Sequence, residues 1–163
     1  MQHPLFRAGE ILDMAIQIEH DGVSFYNACV RAALGKEVEE VFRCLIDQER
    51  EHILVFTEMK EGMEDYPLPE SYPGEARSYV ESFIKDRVFY DPDRAAEQAG
   101  EIADPFRAIE FAIGFEQRSI LFYSGIKQVV RASESEVIER VIDAEHTHIR
   151  RLLALRRQLE TSA

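Results

Sequence analysis

Apolar residues recur at three- and four-residue spacing in four long stretches of the chain, the period of an amphipathic helix. The first stretch covers about 8–34 and turns Leu12, Ala15, Glu19, Gly22, Val23, Tyr26 and Val30 to one side. Gly35 follows as a stop signal, because glycine accepts the left-handed backbone that ends many helices. The second stretch, about 36–60, begins at once, so the two predict an antiparallel hairpin. From about 61 to 104 the pattern breaks. Pro67, Pro69 and Pro73 exclude a helix interior there, since proline lacks the amide donor and clashes with the preceding turn. Two short helices are expected within the break, one from Glu75 to Val88 and one opened by Asp91-Pro92 and ending near Gly100. Asp104-Pro105 opens the third long helix, about 105–131. Ser133 with Glu136 reads as a capping box for the fourth, about 134–159.

Length bears on topology. A helix of some 25 residues is about 37 Å long at 1.5 Å per residue. If each consecutive pair is a hairpin, the second and third helices run parallel and the chain must travel the bundle's length between them. The break is long enough for that. The expectation is a single all-α domain over 1–163, a four-helix bundle of two hairpins with one long crossover.

The polar residues on the apolar stripes change the picture. In the fourth helix Val137, Val141, Ala144 and Leu152 recur at helical spacing, and Glu145 and His148 share their stripe. A carboxylate buried without a partner costs several kcal/mol or more, about 2–7 even for a neutral polar group, so a partner should exist. Ninety-six positions earlier, VFRCLIDQEREHILVF repeats the pattern: Val41, Ile46, Asp47, Glu49, His52 and Ile53 match Val137, Ile142, Asp143, Glu145, His148 and Ile149. The first and third helices repeat as well. LDMAIQIEHDGVSFY and IEFAIGFEQRSILFY align Ala15, Ile16, Glu19, Phe25 and Tyr26 with Ala112, Ile113, Glu116, Phe122 and Tyr123. Each half thus carries a core-facing Glu with a Tyr seven residues on, along one face.

Composition narrows the function. A net charge of −12 argues against nucleic acid and anionic membranes as partners, both of which select basic patches. No apolar run approaches a membrane span, and MQHPLFRAGEILDM lacks the features of a secretory signal, so a cytoplasmic location is expected. Cys29 and Cys44 lie in helical patterns with no C-x-x-C spacing and read as buried small hydrophobes.

The duplicated hairpins bring together Glu19, Glu49, His52, Glu116, Glu145 and His148. Glu and His three apart point to one side of a helix. Four carboxylates beside two neutral imidazoles are balanced by two divalent cations. A Glu from each of two helices plus Glu-x-x-His from the other two is a recognised di-iron or di-manganese donor set. Oxygen-rich sites with one imidazole per metal suit iron or manganese better than thiolate-loving metals, and zinc could substitute. His20 and His146 neighbour these residues in sequence but point about 100° away and read as solvent or packing residues. Glu51 and Glu58 read as a solvated face. Asp47 and Asp143 face away from the site, and their repetition suggests hydrogen bonds between helices. Tyr26 and Tyr123 fit either core aromatics or phenols bonded to ligands.

The phrases EILDMAIQIEHDGVSFY, LIDQEREHI, AIEFAIGFEQRSILFY and VIDAEHTHI resemble the rubrerythrin-type branch of the ferritin-like di-iron carboxylate superfamily. The resemblance spans all four long helices and omits the Pro-rich crossover. It implies a ferritin-like bundle in which Glu19, Glu49, Glu116 and Glu145 bind metal as bridging or terminal carboxylates, without saying which pair bridges. It gives His52 and His148 one metal each and makes Tyr26 and Tyr123 phenols that orient the ligands. Two departures stand out. The rubredoxin-like iron domain with its C-x-x-C pairs has no counterpart, so electrons would come from a separate donor such as a rubredoxin-like protein. Ser119 stands where such proteins tend to carry a further carboxylate. The implied activity is reduction of peroxide or dioxygen by a di-iron or di-manganese oxidoreductase acting in oxidative stress. Two alternatives are a ferroxidase or iron-storage subunit of a larger homo-oligomer, and a metal-binding bundle without catalysis.

Overall fold

The computed structural model describes residues 6–69, 74–85 and 104–162. Five helices lie among them: α1 (Ala8–Arg31), α2 (Lys36–Gly62), α3 (Glu75–Lys85), α4 (Pro105–Lys127) and α5 (Ala132–Ser162). The expected Asp91-Pro92 helix and most of the crossover lie outside the described residues. Helix α1 packs on α2, α4 on α5, α2 on α5 and α1 on α4. Pairings such as Asp13 with Lys60, Lys127 with Glu139 and Cys44 with Arg151 make each hairpin, and the α2–α5 pair, antiparallel. It follows that α2 and α4 run parallel, the direction that demands a long crossover. No described helix is long and apolar enough to cross a membrane.

The core is one cluster drawn from every helix. It includes Phe25, Tyr26, Phe42, Leu45, Phe56, Ile109, Phe115, Phe122, Tyr123, Ile138 and Leu152, all at most 1 % exposed. On α5 the stripe sits one position off its expected place at some turns. Ile138 and Ile142 are buried, whereas Val137 and Ala144 are half-buried; Val23 and Val30 on α1 are also half-buried.

The helix ends correct several expectations. Helix α1 stops at Arg31 rather than near Leu34, and the left-handed residue after it is Ala33 (φ 52°), not Gly35. Gly35 instead starts the next helix, its carbonyl accepting from Glu39 N–H at 3.0 Å, with a φ of 120° that suits glycine. Helix α4 ends at Lys127 rather than Arg131, and α2 and α5 run longer than expected. Ser133 is already inside α5. The Ser133–Glu136 capping box is therefore not the start: the Arg131 carbonyl accepts from Ser135 N–H at 2.9 Å, one turn into the helix. At α4 the expected cap stands, with Asp104 Oδ1 accepting from Phe106 N–H at 3.0 Å and Pro105 in the first turn.

Helix α1 is capped from a distance. Asp65, in the segment after α2, accepts from Gly9 N–H at 3.0 Å and pairs with Arg7. Ala8 N–H donates to the Tyr66 carbonyl and Leu68 N–H to that of Phe6. Tyr66 then reaches the other hairpin, its hydroxyl accepting from Arg131 N–H at 2.9 Å under the Arg131 guanidinium, 4.2 Å from the ring centroid. This clasp ties the start of α1 to the start of α5. Two further expectations fail. Cys29 is buried, but Cys44 is exposed beside Arg151. Asp47 is exposed and sits 3.6 Å from Arg50 of its own helix rather than bridging to another.

Candidate metal centre

Halfway along the bundle, α1, α2, α4 and α5 each turn a carboxylate inward. Glu19, Glu49, Glu116 and Glu145 are at most 1 % exposed, and His52 and His148 lie among them at 7 % and 0 %. The Glu-x-x-His spacing places both members of each motif on one face of α2 and of α5. The α2–α5 contact then brings the imidazoles together, stacked with ring centroids 5.5 Å apart and planes 22° apart. The structure thus assembles all six of these residues in one cluster. His20 and His146 are exposed, away from it.

Distances divide the cluster in two. Around His52 Nδ1 lie Glu145 Oε1 at 3.0 Å, Glu19 Oε2 at 3.3 Å and Glu49 Oε2 at 3.9 Å. Around His148 Nδ1 lie Glu145 Oε2 at 2.9 Å, Glu49 Oε1 at 3.2 Å and Glu116 Oε1 at 3.5 Å. Glu49 and Glu145 each give one oxygen to either imidazole, whereas Glu19 and Glu116 serve one apiece. Within each set of four, one donor atom per residue lies within 4.8 Å of all the others. Glu49 and Glu145 are thus the two carboxylates common to both sets.

Most of these contacts are not hydrogen bonds. Both oxygens of Glu145, one each of Glu49 and Glu116, and both nitrogens of His148 are buried without a hydrogen-bond partner. Close approach without hydrogen-bond alignment is the pattern of donors aimed at a point between them. Left unfilled, it would cost the desolvation of each group. Two sets of three carboxylate oxygens and one imidazole nitrogen, sharing two residues, fit two hard divalent cations.

Electrostatics tell the same story. Burial, then the neighbouring carboxylates, push the Glu49 and Glu116 carboxyls well above the usual range. Burial would also raise Glu145, but its place between the two imidazoles overrides this and holds it below that range. Burial alone would lower both histidines. The carboxylates of Glu145 and Glu19 instead raise His52 to about 10, and those of Glu116 and Glu145 raise His148 to about 10. Without cations, protons balance the charge.

The tyrosines cross between hairpins. Tyr26 of α1 donates to Glu116 of α4, and Tyr123 of α4 donates to Glu19 of α1. Burial and adjacent carboxylates raise both phenols well above their usual pKa, which keeps them protonated donors. Gly22 is a site residue that sequence patterning showed only as inward-facing. A Cβ there would crowd a Phe115 ring carbon at 3.1 Å and touch Glu49 Oε2 at an ordinary 3.5 Å, so its lack of a side chain makes room for the Phe115 ring beside Glu49. Its counterpart in the repeat is Ser119, buried and donating to the Phe115 carbonyl at 3.1 Å.

The fold and site define a ferritin-like helical bundle with a buried carboxylate–imidazole pair site suited to two metal ions. The rubrerythrin family model matches residues 10–156, and the chain belongs to that family. Among solved structures it is similar to a Thermotoga maritima protein assigned as ferritin-like diiron-carboxylate. The two share 27% identity with a TM-score of 0.70, over 95% of this chain and 97% of that one. A search of curated proteins gave no match.

Proposed function

We propose that the chain is a di-iron carboxylate oxidoreductase that reduces peroxide or dioxygen with electrons from a separate donor protein. The observation that carries this reading is the sharing of Glu49 and Glu145 between two donor sets, which would hold two ions side by side. In that arrangement Glu49 and Glu145 would serve both ions, Glu19 and Glu116 one each, and His52 and His148 one each. Iron is the favoured metal, from the hard oxygen-rich donors and the diiron-carboxylate assignment of the similar structure. When bound, the two ions would supply the redox chemistry, holding electrons from the donor protein until the oxidant takes them.

The protein's own part is positional. Tyr26 and Tyr123 orient the terminal carboxylates, and burial of the carboxylates keeps bulk water from the donors. Stopped-flow oxidation of the reduced, iron-loaded protein by peroxide tests the reading. The wild type should react much faster than Glu49→Ala, and equal rates would remove the catalytic claim. Sizing the same sample separates this activity from a storage role, which requires a large shell.

A further inference from the structure

The half-sites are related by the internal repeat, yet their flanks differ. One turn after His148, Arg151 reaches across the α2–α5 groove. Its guanidinium donates to Gln48 Oε1 at 2.7 Å and lies 2.9 Å from Cys44 Sγ. Shifted by the repeat, Arg151 corresponds to Val55 and Gln48 to Ala144. The equivalent place one turn after His52 therefore holds two short apolar side chains, both half-buried, which cannot hydrogen-bond across the groove. The exposures follow suit: His52 keeps 7 % of its surface open and His148 none.

Resting on the two-ion reading above, we infer that the Gln48–Arg151 brace closes the His148 half-site. The His52 half-site is then the one through which ions and small ligands exchange. Each half-site has the same donors, namely one terminal Glu, one His and a share of Glu49 and Glu145. A difference in exchange rate would thus report access rather than donor number. Exchange at His52 meets no such cross-helix bond, whereas at His148 the brace must first break, a local opening with its own free-energy cost.

The test uses the full chain loaded with two cobalt(II) ions and challenged with excess chelator. Release is followed by absorption and by metal analysis of the desalted protein. The wild type should lose one ion quickly and one slowly. Arg151→Ala should still take up two ions but lose the slow phase. The reciprocal graft, Val55→Arg with Ala144→Gln, should slow the fast phase. Single-phase release from the wild type, or a slow phase unchanged in Arg151→Ala, overturns the inference. The graft decides the matter should Arg151→Ala fail to fold: an unaltered fast phase counts against the brace. Uptake of fewer than two ions by the wild type would instead sink the two-ion reading itself, so the two failures are distinguishable.

Discussion

Where the two hairpins face each other they match position for position: Glu19 with Glu116, Tyr26 with Tyr123, Glu49 with Glu145, His52 with His148. At their ends they part company. Helix α4 is capped by its own Asp104, two residues from the amide it holds, while α1 borrows Asp65 from beyond α2. The Ala32–Gly35 turn relies on a left-handed Ala33, whereas the start of α5 is fastened to Tyr66. The contrast is instructive. Inside the bundle each half must present the same donors to a shared pair of ions, so neither can drift without spoiling both sets. At the ends each hairpin meets different neighbours, and any arrangement that satisfies the free amides will serve.

The widest break in the matched interior comes from the shared carboxylates. Glu49→Ala or Glu145→Ala removes an oxygen from both donor sets and should abolish binding of both ions. Glu19→Ala or Glu116→Ala should remove only one. Elemental analysis distinguishes two, one and zero ions per chain, and equal losses in all four variants would contradict the sharing. A thermal shift gives a second reading, because an ion that binds only the folded state stabilises it by about 2.7 kcal/mol at a hundredfold excess over Kd.

Proton competition ranks next. With His52 and His148 raised to about 10, both imidazoles are protonated at neutral pH and must lose protons to bind metal. Affinity should rise with pH by up to about tenfold per unit for each imidazole, and titration calorimetry in buffers of different ionisation enthalpy counts the protons released. For the metal-free protein the sign is reversed. The stability gained from the raised histidine pKa values is complete below about pH 6.5, their unfolded value, and lost as pH rises through about 10.

The crossed phenols come third. Tyr26→Phe should weaken the ion bound through Glu116 and His148, and Tyr123→Phe the ion bound through Glu19 and His52, by about 10–100-fold each. Loss confined to the half-site of the tyrosine's own hairpin would contradict the crossing.

The smallest effects lie at the ends. Asp104→Ala should cost about 1 kcal/mol in chemical denaturation, the usual worth of a helix cap. Asp65→Asn should act through pH. Hydrogen bonds from Arg7 and Gly9 N–H hold the Asp65 carboxyl below its usual range. Its contribution is therefore complete above about pH 4 and is lost as pH falls through the depressed value. A wild type and Asp65→Asn variant with identical acid unfolding curves would rule this out.

The repeat of Glu-x-x-His, the Glu–Tyr spacing of α1 and α4, and the helical period around them were legible in the linear chain. Each is a local regularity: a helix face is set by residues three and four apart, and a duplicated motif can be read by eye. That is why the four long helices, and the six inward polar residues that cluster between them, show in the sequence. What required the tertiary structure was every relation across helices. Which carboxylates are shared depends on the stagger of α2 against α5. The crossing of Tyr26 to Glu116, the capping of α1 by Asp65, the room left by Gly22 and the exposure of Cys44 depend on which surfaces meet. Local periodicity carries no record of such distances; packing alone sets them.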